Sequence, residues 1–196
     1  GTSLVAVHTD TQTSTVLKTV AGSGFFAGDV LNDEALICTV NESLRYKGGL
    51  LRAWGVPTVT AQPVPAVTTG GLKAGTYQLA VTLVNQYGEE GGTSEAIQIT
   101  VPDNAGLVVT LPSVAGHTAY LYASAVNGST LYLQETGTGA VLLAAVRDDT
   151  ARLATMHHTA PPQGSQVVAH NGVVAVVAGG VVWLTTPLRP HLVERS

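Results

Sequence analysis

Residues 166–185 read QVVAHNGVVAVVAGGVVWLT, and this stretch decides the fold class. Its apolar residues fall into three short runs, separated by Asn171-Gly172 and Gly179-Gly180. Asn-Gly supplies the two positive φ angles of a type I′ turn, and Gly-Gly tolerates them as well, so each pair can join neighbouring antiparallel strands. The stretch therefore predicts a three-stranded antiparallel meander, with strands over 166–170, 173–178 and 181–185.

Alternation of side chains with a period of two continues through the middle of the chain. Residues 77–84, 97–101 and 107–111 each place apolar side chains on one face in this way. Such alternation is typical of half-buried strands, and the branched side chains of the abundant Val and Thr suit a pleated surface. Helical spacing favours only a single turn, over 148–158. The sequence therefore predicts an all-β protein.

A further Asn-Gly pair, Asn127-Gly128, lies between two runs of strand-forming residues, 120–126 and 129–134. An Asn-Gly pair between such runs is the strongest short hairpin signal. We therefore expect a type I′ turn at this position.

Two proline-rich segments predict the domain boundaries. Residues 57–65 contain three prolines, and Pro161-Pro162 form a second group. Proline cannot donate to a central ladder, so both segments are expected to be linkers or edges. The intervening residues 57–155 have the size and strand rhythm of an immunoglobulin-like sandwich, and because the Cys and Trp core signature is missing, a fibronectin type III-like version is favoured. The predicted core is Tyr77, Leu79, Val81, Leu83, Ile97, Ile99, Val101, Leu107, Val109 and Leu111, with Leu121 and Leu131 or, alternatively, Tyr120 and Tyr132.

The two flanks of this sandwich, 1–56 and 156–196, are predicted to form a small antiparallel, blade-like β region. Neither flank is long enough to bury both faces of a sheet alone, because a single short sheet is marginal without a partner. We expect the flanks to pair with each other, or with sequence outside this chain. The start at Gly1-Thr2, without Met, is consistent with a piece of a longer protein. Within the first flank, strands are expected over 4–7, 15–20, 36–40 and 44–46.

Composition argues against several classes of partner. The formal net charge is −4, and no basic run offers a footprint for nucleic acid. No apolar run approaches the roughly 20 residues that a membrane-spanning helix needs. The single cysteine, Cys38, cannot support a disulfide framework, and its apolar surroundings predict a buried, unreactive thiol.

The histidines and serines do not form a recognisable catalytic or metal-binding motif. His157 and His158 are adjacent, and neighbouring side chains on a strand point to opposite faces, so both are not expected in one site with Asp148-Asp149. The spacing fits no zinc template. Ser23 stands between two glycines without the Gly-x-Ser-x-Gly pattern of a nucleophile elbow.

Paired carboxylates at Glu89-Glu90 precede Gly91-Gly92, which predicts a solvated hairpin tip and neither a glycosidase pair nor a calcium site. We therefore predict no catalytic residue, no metal ligand and no cofactor, and a protein that is not an enzyme.

Several stretches resemble a known family. Residues 75–94, GTYQLAVTLVNQYGEEGGTS, resemble the opening hairpin of fibronectin type III-like domains in tailed-phage and prophage virion proteins, and Tyr120-Leu121-Tyr122 followed by Asn127-Gly128 resembles their later strand pair. Residues 161–164, 170–172 and 183–191 resemble the β-propeller-like blade that often follows such domains. Residues 53–57, AWGVP, resemble the end of a blade where it enters the inserted domain. The chain departs from the pattern at Val173 and Thr186, where relatives tend to carry Arg and Ser.

The resemblance implies a structural component of a phage tail, at the tip, the nozzle or the fibre-attachment region. It implies other virion subunits as partners, a homo-oligomer in the assembled particle, and location in the virion or in the host cytoplasm before assembly. It supplies no catalytic residue.

Two other classes of function stay open at this point. A carbohydrate-binding module that docks a host surface glycan would need an exposed aromatic platform, for which Trp54 and Trp183 are the candidates. A hydrolase fragment that lacks its catalytic part is the third alternative.

Overall fold

The structure, a computed structural model, describes residues 2–20, 26–39 and 41–195. Every regular element in these ranges is a β-strand, and the strands pair antiparallel. The prediction of an all-β protein is confirmed. The chain divides into two compact units, one formed by residues up to Gly55 with Pro161–Val193, the other by Val56–Ala160 with Glu194 and Arg195. The boundaries predicted from the sequence, 56/57 and 155/156, lie within five residues of these.

The first unit begins with a two-stranded hairpin of β1 (Thr2–His8) and β2 (Thr13–Val20). These strands include the predicted runs 4–7 and 15–20. A bulge between Leu4 and Val5 shifts the register of the pair. Near the base of the hairpin, Lys18 forms an ion pair with Glu42.

A four-stranded sheet, here the first meander, follows the hairpin in simple up-and-down order. Its strands are joined by tight turns at Asn32-Asp33 and Gly48-Gly49, where all four residues have positive φ angles, as a type I′ turn requires. Two of its strands contain residues 36–38 and 44–46 of the predicted runs, whereas Thr39 follows the end of its strand and Val40 lies outside the described residues. The strands are β3 (Ala27–Leu31), β4 (Glu34–Cys38), β5 (Ser43–Lys47) and β6 (Leu50–Ala53).

A second meander occupies the end of the chain, and it confirms the prediction made from residues 166–185. Asn171 and Gly172 have φ angles of 47° and 80°, and Gly179 and Gly180 have 59° and 79°. A fourth strand, which the sequence did not predict, follows a turn at Leu188, whose amide donates to the carbonyl of Gly172 at 2.8 Å. The strands are β15 (Gln166–His170), β16 (Val173–Ala178), β17 (Val181–Thr186) and β18 (Arg189–Glu194).

The two meanders bury one face each against the other, so the two flanks of the chain share a core. They approach most closely through their first strands, β3 and β15. There the carboxylate of Asp29 accepts a hydrogen bond from the amide of Ala169 at 2.7 Å, and this bond is the main cause that lowers the pKa of Asp29. The buried core residues are Leu36, Cys38, Trp54, Val167, Val174 and Val176.

The second unit is a seven-stranded sandwich with the predicted class of architecture. The order β13-β10-β7 forms one sheet and β12-β11-β8-β9 the other. Like an immunoglobulin domain, this unit has seven strands divided between a three-stranded and a four-stranded sheet. Its strand order differs from that of the immunoglobulin fold, because the first, fourth and seventh strands form one sheet. The strands are β7 (Pro65–Leu72), β8 (Gly75–Asn85), β9 (Ile97–Val101), β10 (Ala105–Leu111), β11 (His117–Ser124), β12 (Leu131–Gly137) and β13 (Gly139–Leu143), followed by a short β14 (His158–Thr159).

The core between the two sheets contains all ten residues that the alternation predicted, Ile97 and Ile99 being only partly buried. Leu121 also lies in this core, but Leu131 does not. Because Leu131 pairs with Ser124, it lies on the opposite face of the four-stranded sheet, where it packs with Tyr122. The expected pair of Leu121 with Leu131 is therefore wrong, and so is the alternative that places Tyr120 in this core, because Tyr120 packs on the same outer face.

The predicted type I′ turn at Asn127-Gly128 is also wrong. Strand β11 ends at Ser124 and β12 begins at Leu131, so more than two residues separate the strands. Asn127 has a positive φ angle but Gly128 does not, whereas a type I′ turn requires positive φ at both. Asn127 instead binds the start of β8: its Oδ1 accepts from the amide of Thr76 at 3.0 Å, and its own amide donates to the Thr76 carbonyl at 2.7 Å. A partner distant in sequence thus decides the conformation of this pair.

The segment 144–157 is irregular, which overturns the predicted helical turn over 148–158. Its backbone is tied to the edge strand β12, since the amide of Leu133 donates to Ala151 and the amide of Leu153 donates to Leu131. Leu153 and Met156 cover the outer face of the four-stranded sheet. Cross-strand hydrogen bonds and burial of two apolar side chains outweigh the weak helical spacing.

Gly172→Val is expected to lower the free energy of unfolding by about 1–3 kcal/mol, because a β-branched residue resists a φ angle of 80°. A Cβ at this position would also lie 2.9 Å from Cδ2 of Leu188. Asn171→Gly is the control and is expected to be near neutral, since glycine accepts the same angle. Denaturant unfolding measures both; equal stability of Gly172→Val and the native chain would contradict the turn assignment.

Residues 56–160, expressed alone, are expected to be soluble and monomeric and to unfold cooperatively, because the sandwich has its own core. Far-UV circular dichroism followed through a thermal melt measures this. An excised segment that stays unfolded while the intact chain melts in one transition would show one continuous domain.

Candidate functional site

The most prominent surface feature is the outer face of the second meander, formed by Val168, Ala175, Val177, Val182 and Leu184. The strand register aligns Val168, Ala175 and Leu184 in one cross-strand row, and Val177 with Val182 in the next. Val168, Val182 and Leu184 are 56%, 59% and 60% exposed. Strands β15, β16 and β17 contain no Asp, Glu, Lys or Arg, so the part of the face that they form is uncharged and mainly apolar, with Gln166 in the row of Val177. Charged residues are present in the fourth strand, β18, as Arg189 and Glu194.

The sequences of these strands account for this face. Strands β15, β16 and β17 read QVVAH, VVAVVA and VVWLTT, with apolar residues at both odd and even positions. Near-continuous apolar runs are typical of strands whose two faces are both covered. The inner face, with Val167, Val174 and Val176, is buried against the first meander. The outer face has the composition of a buried face but is exposed in the structure.

The outer face of the first meander has a similar character. Pairing of the strands places Val30, Ala35, Tyr46 and Leu51 in one row, and the flanking row contains Ile37. Val30 is 61% exposed, whereas the other four are partly buried. None of these side chains is charged. Leu44, in the row of Ile37, is buried, so this face is apolar but mostly covered, and the second meander has the more open apolar face.

Charged groups of the first meander lie on its inner face instead. The carboxylate of Glu34 accepts from Arg52 at 2.9 Å, and Nε of Arg45 lies 3.3 Å from the same oxygen. Arg45 is almost completely buried. The inner interface thus has a paired ionic cluster, which the two outer faces lack.

In the sandwich, Glu90 forms a polar cluster on the outer face of the four-stranded sheet. One oxygen of Glu90 accepts from the hydroxyls of Thr82, at 2.6 Å, and Tyr122, at 2.8 Å. Burial, and next the charge of Glu90, raise the pKa of Tyr122 well above its ordinary value, so the phenol stays protonated and donates. The prediction of a solvated tip at Glu89-Glu90 is therefore wrong for Glu90, which anchors the 88–94 segment to the sheet.

The residues considered for metal or nucleophilic chemistry are dispersed. No group of three or more His, Cys, Asp or Glu side chains converges on a possible metal position within 2–20, 26–39 and 41–195. His157 is exposed on an irregular segment, whereas Cys38 is buried, as its apolar surroundings predicted. Ser23 lies outside the described residues.

The two tryptophans do not form an exposed platform. Trp54 is fully buried, and its Nε1 donates to the carbonyl of Pro190 at 2.7 Å. Trp183 is half-buried and packs against the core between the meanders. Both rings are therefore used for packing within the first unit.

Two clefts in the sandwich unit offer small cavities. One of about 240 Å³ is lined by Lys73, Tyr77 and Asp148 among others. The other, of about 370 Å³, includes Glu95 and Arg195 in its lining. Arg195 donates to two backbone carbonyls, so its guanidinium is used to hold the chain. Neither lining places a nucleophile beside a base.

Comparisons with protein-family models, with curated proteins and with solved structures found no match to this chain. Among the described residues there is no helix long and apolar enough to cross a membrane. The geometry alone points to the outer face of the second meander, where Val168, Val182 and Leu184 are exposed side by side. Sequence reasoning missed this face, although the unbroken apolar runs of β15 to β17 were a signal for it.

Tyr122→Phe is expected to lower the free energy of unfolding by about 1–3 kcal/mol, because it removes a buried hydrogen bond to a carboxylate. Tyr120→Phe, on the same face of the same strand, is the matched control and is expected to change stability by less than about 0.5 kcal/mol. Urea denaturation of both variants measures the difference. Equal losses in the two variants would contradict an anchoring role for the Glu90 cluster.

Proposed function

We propose that this protein is a structural component of a phage tail, at the tip, the nozzle or the fibre-attachment region, where it acts in virion assembly or host attachment. The observation that carries the proposal is the uncharged, exposed outer face of the second meander. The resemblance of residues 75–94 and 183–191 to virion proteins supplies the biological setting.

An assembly role fits the physics of such a face. Contiguous apolar patches on folded proteins mark sites of contact with other molecules. The cores of permanent interfaces are depleted in charged residues, as this face is. In the proposed role, the meanders attach to neighbouring subunits, and the sandwich supplies a further folded surface. The protein is then located in the virion, or in the host cytoplasm before assembly, and it is not an enzyme.

A carbohydrate-binding module is the alternative function. Glycan sites of this kind use exposed aromatic rings, and both Trp54 and Trp183 are engaged in the core of the first unit. Of the tyrosines, Tyr87 is the more exposed ring, and its hydroxyl accepts from Gln86. The geometry supports the assembly role better, because the exposed outer face of the second meander is formed by the aliphatic side chains of Val168, Val182 and Leu184.

Mass spectrometry of purified particles tests the proposal. Phage or induced prophage particles from the strain that encodes this chain would be purified on a density gradient, and their proteins quantified. We expect peptides of this chain at an abundance comparable to that of minor tail proteins, with host cytosolic proteins as the control for carry-over. Its absence from particles, together with binding of the purified chain to a glycan array, would favour the alternative.

A further inference from the structure

We propose that Asn171 is a site of covalent modification, at which water converts the side-chain amide to a carboxylate through a cyclic imide formed with Gly172. The same dipeptide at Asn127-Gly128 is protected from this reaction by its hydrogen bonds. The reaction belongs to the folded chain itself and is independent of the proposed tail role.

The reaction needs only the two residues and water. The backbone nitrogen of Gly172 loses its proton and attacks Cγ of Asn171, so that an N–Cγ bond forms. The Cγ–Nδ2 bond then breaks, and the side-chain nitrogen leaves as ammonia, with a proton in place of the one that glycine lost. Water opens the cyclic imide at either of its two carbonyl carbons and gives aspartate or isoaspartate. No atom is oxidised or reduced.

Glycine at the following position favours this attack. Two asparagines of the chain, Asn127 and Asn171, precede a glycine, and the others precede residues that have a side chain. Because glycine has no Cβ, its nitrogen is easily approached and its backbone is free to adopt the angles of the ring. From the sequence alone, the two Asn-Gly pairs are therefore equal candidates.

At Asn127-Gly128 the reacting groups are held by hydrogen bonds. The amide of Gly128, which would be the nucleophile, donates to the carbonyl of Ala125 at 2.9 Å. Oδ1 of Asn127 accepts from the amide of Thr76 at 3.0 Å, and the amide of Asn127 donates to the Thr76 carbonyl at 2.7 Å. Ring closure requires the side chain and the next peptide group to rotate towards each other, and these three bonds oppose that rotation.

At Asn171-Gly172 the reacting groups are not held in this way. In the described part of the chain, neither the side chain of Asn171 nor the amide of Gly172 forms a hydrogen bond. The pair is tied by the bond from the Leu188 amide to the Gly172 carbonyl, at 2.8 Å. Asn127 and Asn171 are both exposed, so access of water does not distinguish them. Opening the turn at Asn171 breaks fewer hydrogen bonds, and the reaction is therefore expected to be faster there.

The two products affect the hairpin of β15 and β16 differently. Aspartate keeps the length of the backbone and, like asparagine, tolerates the φ angle of 47° found at position 171. Isoaspartate places an additional methylene in the backbone, which does not fit a two-residue turn between the paired residues His170 and Val173. Both products add a carboxylate, ionised at neutral pH, beside strands that contain no charged residue.

Peptide mapping by mass spectrometry tests the proposal on the full chain. The folded protein is kept in mildly alkaline buffer, samples are digested at intervals, and aspartate and isoaspartate are quantified at positions 127 and 171. The same chain unfolded in guanidinium chloride gives the intrinsic rate at each position. Asn171→Gly is the control variant, because it lacks the reacting amide and glycine accepts the same φ angle.

We expect position 171 of the folded chain to react at least about tenfold faster than position 127, a factor that corresponds to one or two hydrogen bonds. In the unfolded chain the two rates are expected to be similar, because glycine follows both asparagines. The Asn171→Gly variant is expected to react at position 127 as slowly as the native chain does. The isoaspartate form, purified by chromatography, is expected to melt several degrees below the native chain, and Asn171→Asp close to it.

Equal rates at the two positions of the folded chain would overturn the proposal, and so would a faster reaction at position 127. A difference of the same size in the unfolded chain would also overturn it, because the local sequence and not the hydrogen bonds would then be the cause. None of these outcomes bears on the presence of the chain in phage particles, which is what the proposed function requires.

Discussion

The packing of one meander against the other is the interaction on which the first unit depends. It joins residues from both flanks of the sandwich sequence, and Leu36 and Trp54 from one flank meet Val174 from the other. Two hydrogen bonds, from Ala169 to Asp29 and from Trp54 to Pro190, fix the contact at separate places. Because the entropy of closing a loop grows only with the logarithm of its length, a long insertion is tolerated once its ends are held in this way. The sandwich can then fold around its own core.

The two Asn-Gly pairs show which turns can be predicted from the sequence and which cannot. At Asn171-Gly172 the flanking strands meet directly, so the local preference for positive φ decides the structure and the prediction succeeds. At Asn127-Gly128 the same dipeptide does not form a type I′ turn, because Asn127 is hydrogen-bonded to the backbone of Thr76. The pairing of Leu131 with Ser124 is the one that a two-residue turn would also give, and it places Leu131 on the face of Tyr122, outside the predicted core. A pattern that is purely local could be interpreted from sequence, whereas one decided by a distant partner could not.

The same distinction separates the predicted from the unpredicted parts of the candidate site. The burial of Cys38 followed from its apolar neighbours, since an apolar strand is a local property. The role of Glu90 depends on hydroxyls from two strands, and the sequence does not show that they converge. The outer faces of the meanders fall between these cases. Their strands carried the unbroken apolar pattern of doubly covered sheet, but only the register shows which face is covered and which is open.

The placement of charged residues in the two meanders bears on the function proposed for the outer face of the second meander. Natural sheets protect exposed faces and edges with charged side chains, which make chance association unfavourable. This chain does contain such groups, yet Arg45 and Glu34 lie inside the first unit, where burying them requires careful pairing. Strands β15 to β17 contain none. An ionic cluster in the interior together with valine and leucine on an open face is the distribution of charge from which the assembly role is proposed.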